Sequence, residues 1–273
     1  MRVRKPSVEF SQTPARWAPN GEFAQQMNAS SLWIPHLERF LNRVMAQAAA
    51  KLDGNNPQAA KLKADVRTFI RQEGHHTALH AAFNQILPRE GYDIAAFESH
   101  FEAEFERLLK TKSFKFLCAY CEGFETLGPA LATVWLDEID DLVSDADPNV
   151  VMLWKWHLME EYEHRMVCHD VARAFGVGYF QRVYGFLYQA WQLQGFTNQV
   201  LRYLLAQDAR GMTKAQEQAM RQRDKQVRRR MLRQILPHLI KAMMPFHNPE
   251  RVRAAKNYES FMAEIEASLA LQE

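Results

Sequence analysis

Glu73-Gly-His-His76 and Glu161-Tyr-Glu-His164 are two copies of one short signature, Glu-x-x-His, in a chain of 273 residues. A further glutamate precedes each copy: Glu38 lies 35 residues before Glu73, and Glu122 lies 39 residues before Glu161. Positions three apart share one face of a helix, so the Glu and His of each copy can point at one ion. Two single carboxylates and two Glu-x-x-His helices are what a four-helix bundle uses to hold two metal ions in its core. The repeat therefore predicts a helical bundle around a dinuclear metal site.

A third histidine extends the second signature, because His157 lies four residues before Glu161 and seven before His164, on one stripe of a helix. We interpret His157 as an additional ligand. Carboxylates combined with imidazoles suit iron or manganese better than a structural zinc site, which prefers thiolate or imidazole and closes at four ligands. We expect two iron ions, with manganese or zinc as alternatives. The predicted ligands are Glu38, Glu73, His76, Glu122, His157, Glu161 and His164.

The neighbours of the two single glutamates indicate that both are buried. Ile34, Leu37 and Leu41 share the helical face of Glu38. Glu122 lies in the run 116–124, which carries almost no other charge. A carboxylate on such a face is costly to bury unless it is paired or binds a metal ion, and metal binding is the simplest way to meet that cost.

Several neighbouring residues offer alternatives. Glu125, one turn beyond Glu122, could take its place as a ligand, although Glu122 fits the flanking apolar pattern better. Ligating imidazoles usually donate their second nitrogen to a carboxylate or similar group, and Asp170 is the predicted partner of this kind. His80, four residues after His76, is a second such partner or a ligand itself. His75 is expected behind a ligand or at the surface, and one of Glu160 and Glu163 is expected to be solvated or to form a salt bridge.

Composition excludes several classes of protein. The chain has 34 Lys and Arg against 32 Asp and Glu, so its net charge of +2 favours no polyanion and we expect no nucleic-acid partner. No run approaches the roughly 18–20 apolar residues of a transmembrane span. Three cysteines without a secretory signal predict a cytoplasmic protein. Cys118 and Cys121 lie within a predicted helix, and we interpret them as small core residues, with a place in the cavity wall as the alternative.

Helix starts are marked by a capping residue followed by proline, at Asn56-Pro57, Asp147-Pro148 and Asn248-Pro249. No segment alternates as a strand does, so the chain is predicted to be all-α. The predicted helices cover 30–52, 57–87, 93–110, 113–143, 147–175, 179–207, 213–243 and 249–271. We expect three regions: an extended N-terminal arm over 1–29, a di-metal helical domain over 30–207, and basic C-terminal helices over 208–273 packed on it.

Two of the predicted helices carry no candidate ligand but have an unusual composition that needs an explanation. The helix over 179–207 is rich in aromatic residues and is either a further core helix or a wall of an apolar substrate cavity; core packing is favoured. The run 221–230 is strongly basic. We interpret it as a solvated helix face. The functional alternatives are contact with an acidic partner, which comes next, or with an anionic membrane surface or a nucleic acid.

The chain resembles a bacterial family labelled predicted metal-dependent hydrolases, which is placed among the ferritin-like proteins. The resemblance covers about 30–200 and implies a ferritin-like four-helix bundle with extra C-terminal helices. The segments that carry it are Ile34–Phe40, Phe69–His76 followed by His80 and Asn84, Glu122–Phe124 followed by Thr126, and Trp156–His164.

The stripe of His157, Glu161 and His164 is also similar to that of the di-iron arylamine N-oxygenases. These enzymes bind iron with four carboxylates and three histidines. The resemblance implies the same seven ligands in this chain.

Together these features predict a non-haem di-iron oxygenase or oxidase that uses O2 to oxidise a small, partly apolar substrate. Such an enzyme needs electrons from an external reductase or ferredoxin, and a homodimer is compatible with it. The alternative is a hydrolase in which two metal ions activate water, which needs no redox partner. A third hypothesis is an iron-binding protein without catalysis.

Overall fold

The structure is a computed structural model that describes residues 1–270, and every regular element within that range is helical. The all-α prediction is therefore confirmed for these residues. The elements are α1 (Gly21–Ser31), α2 (Ile34–Lys51), α3 (Pro57–Asn84), α4 (Ile86–Arg89), α5 (Ala95–Thr111), α6 (Phe114–Glu125), α7 (Gly128–Asp137), α8 (Asp140–Val143), α9 (Pro148–His164), α10 (Val167–Ala174), α11 (Tyr179–Asp208), α12 (Lys214–Ala242), a 3₁₀ turn (Pro249–Arg251) and α13 (Tyr258–Ala270). Within the described range, no helix is both long enough and apolar enough to cross a membrane.

Two of the three predicted proline-marked helix starts are confirmed. The Asn56 side chain accepts a hydrogen bond from the backbone N–H of Gln58 at 2.9 Å, and Asp147 caps α9 in the same way. In both cases the proline occupies the first turn, where its missing N–H costs nothing. Asn248 caps only the 3₁₀ turn, and α13 begins later, at Tyr258.

The helix predicted over 113–143 is interrupted in the structure. It ends at Glu125 and resumes at Gly128, and it breaks again after Asp137. Pro129 explains the first break, because it has no N–H to donate to the carbonyl of Glu125 one turn earlier. Regular α-helix therefore stops at Glu125 and begins again at Gly128.

Two other predicted boundaries differ as well. The segment 147–175 divides into α9 and α10 at Arg165, whose guanidinium donates to the Tyr162 carbonyl in the last turn of α9 at 2.6 Å. The arm predicted as extended over 1–29 contains the start of α1, because the Asn20 side chain caps that helix by accepting from Phe23 N–H at 2.9 Å. The division into three regions stays a prediction.

The helices pack so that α3 lies between α2 and α9, while α6 packs on α2, α10 and α11. Helix α7 packs on α9, and α1 packs on α11. Helix α5 packs on α2, and its buried side chains are Phe101, Phe105 and Leu108. Helix α11 buries Leu193, Phe196 and several other apolar residues in the common core, which agrees with core packing.

Helices α6 and α11 approach to backbone contact at Gly185. A Cβ atom at this position would lie 2.6 Å from the carbonyl carbon and oxygen of Ala119. Backbone atoms cannot move aside as a flexible side chain can, so the crossing requires glycine. This crossing sets the position of α6.

Replacing Gly185 with alanine should therefore destabilise the protein by about 1–3 kcal/mol, the usual cost of overpacking. Gly195→Ala is the matched control, because it lies in the same helix and a Cβ there meets nothing within 4 Å. The control should raise stability by about 0.5–1 kcal/mol. Urea unfolding of both variants checks this, and equal midpoints would contradict the contact.

Candidate metal centre

Seven buried side chains from four helices converge in the interior. They form two groups in which one ligand atom from each residue lies within 4.8 Å of the others. The first group is Glu38 from α2, His76 from α3 and His157 from α9, and the second is Glu73 from α3, Glu125 from α6, and Glu161 and His164 from α9.

The two groups adjoin. His157 Nε2 lies 3.1 Å from Glu161 Oε1, and His76 Nδ1 lies 3.5 Å from Glu73 Oε1. Each of these distances joins a residue of the first group to one of the second. The arrangement therefore suits two neighbouring ions rather than two separate sites.

Burial of these residues is nearly complete, with His157 the most exposed at 2%. Several of their polar atoms lack a hydrogen bond of good geometry, which is costly for buried charged groups. These atoms are Glu38 Oε1, His76 Nδ1, His164 Nε2 and both carboxylate oxygens of Glu73, Glu125 and Glu161. Unpaired oxygen and imidazole donors facing one another fit a pair of divalent cations, and four carboxylates match the charge of two such ions.

The break after α6 shapes the second group. A Cβ atom at Gly128 would lie 2.6 Å from Glu161 Cβ and 2.5 Å from Glu161 Oε2. Glycine at the first position of α7 thus lets the chain pass directly over the Glu161 side chain. The turn between α6 and α7 is part of the site rather than a connection outside it.

The structure brings six of the seven predicted ligands together and places Glu122 elsewhere. The Oε1 atom of Glu122 lies 3.0 Å from His169 Nδ1, outside both groups. Glu125 belongs to the second group, and its Oε2 atom lies 3.0 Å from His164 Nε2. Sequence pattern could not separate the two glutamates, because every residue from Leu117 to Glu125 is buried. The ligand set stays a prediction, now with Glu125 as the candidate from α6.

Of the two predicted supporting residues, the structure places His80 against a candidate ligand and Asp170 away from one. His80 Nε2 lies 2.9 Å from His157 Nδ1. The charged side chains near Asp170 include His169 and Arg173. The Nδ1 atom of His164 faces Gln72 rather than Asp170.

His76 is oriented by an acidic residue that the N-terminal arm holds. Its Nε2–H donates to Glu160 Oε2 at 3.1 Å, which leaves Nδ1 facing the other donors. Glu160 accepts in turn from the backbone N–H of Arg4 at 3.1 Å. A carboxylate behind a ligating imidazole is the usual arrangement that fixes the ring and raises its basicity.

His164 is oriented by an amide in the same region. The Gln72 side-chain N–H₂ donates to the carbonyl of Arg2 at 3.1 Å, so its Oε1 accepts from His164 Nδ1–H at 3.3 Å. The lone pair of His164 Nε2 then faces the carboxylates. Arg4, only 6% exposed, also pairs with Glu163 at 2.9 Å, so the arm supports both imidazoles.

A chain of hydrogen bonds fixes the tautomer of His157. The Asn84 amide donates to the Ser31 carbonyl at 3.1 Å and accepts from the Ser31 hydroxyl at 2.6 Å. The Ser31 hydroxyl proton is donated to Asn84, so Ser31 Oγ can only accept from His80. His80 Nδ1–H therefore donates to Ser31 Oγ at 2.8 Å, and His80 Nε2 is left as an acceptor. His157 Nδ1–H therefore donates to His80, and the lone pair of His157 Nε2 is free for a metal ion.

The arm, Gln72 and Ser31 are parts of the site that sequence reasoning missed. The contact between Arg4 and Glu160 joins residues 156 positions apart, and no local pattern reports such a pairing. The one signal was the expectation that Glu160 or Glu163 forms a salt bridge. Both do, with the same arginine.

Burial and neighbouring charges favour the protonated form of two of the carboxyl groups. Burial, followed by the charge of Glu73, raises the pKa of Glu38 well above its ordinary value. Burial and the charge of Glu161 act in the same way on the pKa of Glu125. Like charges in a dry site disfavour further ionisation.

The pKa values of two imidazoles are also raised, because nearby carboxylates favour the charged ring. Burial opposes a charged ring, but Glu73 and Glu160 outweigh it and raise the pKa of His76 well above its ordinary value. Glu125 and Glu161 likewise outweigh burial and raise the pKa of His164. Metal ions bind the deprotonated forms, so binding must displace protons from these groups.

The position of α6 can be tested by metal content. We expect Glu125→Gln to reduce bound metal to about one ion per chain or fewer, because it removes a donor from the four-residue group. Glu122→Gln is the matched control one turn earlier and should keep the wild-type content. Plasma mass spectrometry after anaerobic loading measures both. Loss of metal in Glu122→Gln with retention in Glu125→Gln would contradict the placement.

Metal affinity should rise with pH near neutrality, because Glu38, Glu125, His76 and His164 all have raised pKa values and must lose protons to bind. Calorimetric titration with Mn²⁺ in two buffers of different ionisation enthalpy measures the protons released. An observed heat that is the same in both buffers would show that no proton leaves.

The N-terminal arm should contribute to metal affinity. Arg4→Gln removes the cation that pairs with Glu160 and Glu163, and we expect metal binding to weaken by roughly 10–100-fold. Arg2→Gln is the control, because its side chain is 71% exposed and only its backbone carbonyl holds Gln72. Competition with a chromophoric chelator measures both. Equal affinities in the two variants would remove the arm from the site.

The description of the family that matches this chain agrees with a metal-dependent protein. The sequence model of a family described as predicted metal-dependent hydrolase matches residues 2–252. Curated proteins and solved structures gave no match to this chain. The family match spans nearly all of the arm, all seven donors and the whole of α12, so the chain belongs to the family of predicted metal-dependent hydrolases.

Proposed function

We propose that the protein is a hydrolase that uses two metal ions held between four helices of a ferritin-like bundle. The single observation that carries this proposal is the pair of adjoining, fully buried donor groups whose oxygen and nitrogen atoms face one another without hydrogen bonds. Membership of the hydrolase family supports the type of reaction. The proposed ligands are Glu38, Glu73, His76, Glu125, His157, Glu161 and His164.

The origin of the donors supports the ferritin-like class. Glu73 and His76 come from α3, and Glu161 and His164 come from α9, so each of these helices supplies a Glu-x-x-His pair. Helices α2 and α6 supply one glutamate each. This is the division of ligands found in di-metal carboxylate bundles. His157 adds a third imidazole to that pattern.

When bound, two divalent ions would supply a water made acidic enough to attack at neutral pH and a Lewis acid for the substrate. The protein's part is to place the donors and keep bulk water away from them. Thr77 donates to Glu38 Oε2 at 2.9 Å, which leaves Oε1 directed at the site. Trp156 and Phe69 pack edge-on against His76 and His164 at 4.7 and 4.8 Å and limit their rotation.

A second candidate is an oxygen-dependent oxidation, and the composition of the donor set favours it. Four carboxylates with three imidazoles form a hard, oxygen-rich site that suits iron or manganese. The substrate would again be a small molecule, with O2 as co-substrate and a reductase or ferredoxin as electron donor. Storage of iron is the third candidate, and binding of many more than two irons per chain would favour it.

Metal-loaded protein separates these candidates. Samples loaded anaerobically with Fe²⁺, Mn²⁺ or Zn²⁺ should hydrolyse chromogenic ester or phosphodiester substrates without oxygen. Activity should be lost in Glu125→Gln and retained in Glu122→Gln, since only Glu125 faces the other donors. Oxygen uptake that depends on Fe²⁺ and a reductant, with no hydrolysis in any sample, would overturn the hydrolase proposal and favour the second candidate.

A further inference from the structure

Almost all of the large apolar side chains that are strongly exposed lie on α11, on α12 or just after the end of α12. Within residues 1–270 the exception is Met1, at the chain's first residue. We call the other ten the apolar face: Tyr179, Phe180, Tyr184, Leu187 and Trp191 on α11, and Leu232, Leu236, Ile240, Met244 and Phe246 on α12 and after it.

The face consists of two helical stripes rather than scattered residues. Phe180, Tyr184, Leu187 and Trp191 follow the spacing of four, three and four that keeps side chains on one side of a helix. Phe180 is 84% exposed and Trp191 is 73% exposed. Isolated exposed apolar residues are ordinary, but a continuous row containing large aromatic rings marks an interaction surface.

Hydrogen bonds join the two stripes. The Tyr179 hydroxyl donates to the Met243 carbonyl at 3.0 Å, and the Arg182 guanidinium donates to the carbonyls of Ala242 and Met244 at 2.6 and 2.9 Å. The start of α11 is thereby fixed to the end of α12. Phe246, which is 81% exposed, follows directly after this junction.

The chain segments that carry the apolar face contain positively charged residues but no negatively charged ones. Neither 179–207 nor 225–249 contains an aspartate or glutamate. The second segment carries exposed cations on α12, namely Lys225, Arg229, Arg233 and Lys241. The Arg230 guanidinium forms an ion pair with Asp141 at 2.7 Å. Glu104 is paired with Arg107, whose guanidinium also donates to the Tyr188 hydroxyl. Leu232, Leu236 and Ile240 therefore share α12 with four exposed cations that form no ion pair within the described residues.

We propose that the apolar face docks on the surface of an anionic phospholipid bilayer. Aromatic and aliphatic side chains next to Arg and Lys are the combination that enters the interfacial layer while the cations contact anionic headgroups. A second copy of the chain fits less well, because a two-fold interface would set the arginines of α12 near those of the other copy. The docking does not depend on the metal centre.

Sedimentation with vesicles tests the docking. The full chain should bind vesicles of phosphatidylglycerol and phosphatidylcholine, bind vesicles of phosphatidylcholine alone much more weakly, and dissociate as salt is raised. The double variant Arg229→Gln/Arg233→Gln should lower the partition constant by about 10–30-fold, at about fivefold per arginine. The double variant Phe180→Ser/Trp191→Ser should also lower it, by about tenfold or more.

The control is Arg67→Gln/Arg71→Gln, which removes two exposed arginines from α3 and should leave vesicle binding unchanged. All substituted residues are exposed, so circular dichroism should match the unmodified chain. Two results would overturn the proposal: no binding to anionic vesicles, or an equal loss in the control. Light scattering supplies a third, because a dimer that dissociates in Phe180→Ser/Trp191→Ser without vesicle binding would assign the face to a second copy.

Discussion

Repulsion among four carboxylates held in a dry interior is the constraint on which this structure depends. Glu38, Glu73, Glu125 and Glu161 are each at most 1% exposed. Burial, followed by the charge of a neighbouring glutamate, raises the pKa of Glu38 and of Glu125, and nearby carboxylates raise the pKa of His76 and of His164. Uncompensated charges of this kind cost several kcal/mol each. Protons offset part of that cost and two divalent ions could offset all of it, so metal binding and the stability of the interior are linked quantities.

Placing those carboxylates together imposes conditions on the backbone. Helix α6 must end at Glu125, and α7 must begin with a residue that has no Cβ, because Glu161 occupies that space. On its other side α6 is held by the contact of Gly185 with the Ala119 backbone. The position of one ligand therefore rests on a proline, on two glycines and on the helix crossing that they permit.

Sequence reasoning could predict the all-α class, two proline-marked helix starts and a site built from the Glu-x-x-His signatures, because these depend on local spacing. It could not choose between Glu122 and Glu125, because burial on every side of α6 removes the periodic signal that distinguishes helix faces. It proposed Asp170 as the partner of a ligating imidazole, whereas the structure places Gln72 behind His164. Choosing the side chain behind a ligand requires knowing how separate helices meet.

The support behind the imidazoles comes from parts of the chain that are remote in sequence. Arg4 links Glu160 and Glu163 on α9 to Glu266 on α13, so both ends of the described chain meet behind the candidate metal centre. Each ligand on α3 and α9 can be set by its own helix, but the orientation of His76 and His164 follows only when the arm is in place. Because buried ion pairs are strongly coupled to their partners, displacement of the arm would leave Glu160 without its cation and His76 less firmly oriented. The order of the metal centre is thus a property of the whole chain, although its ligands come from four helices.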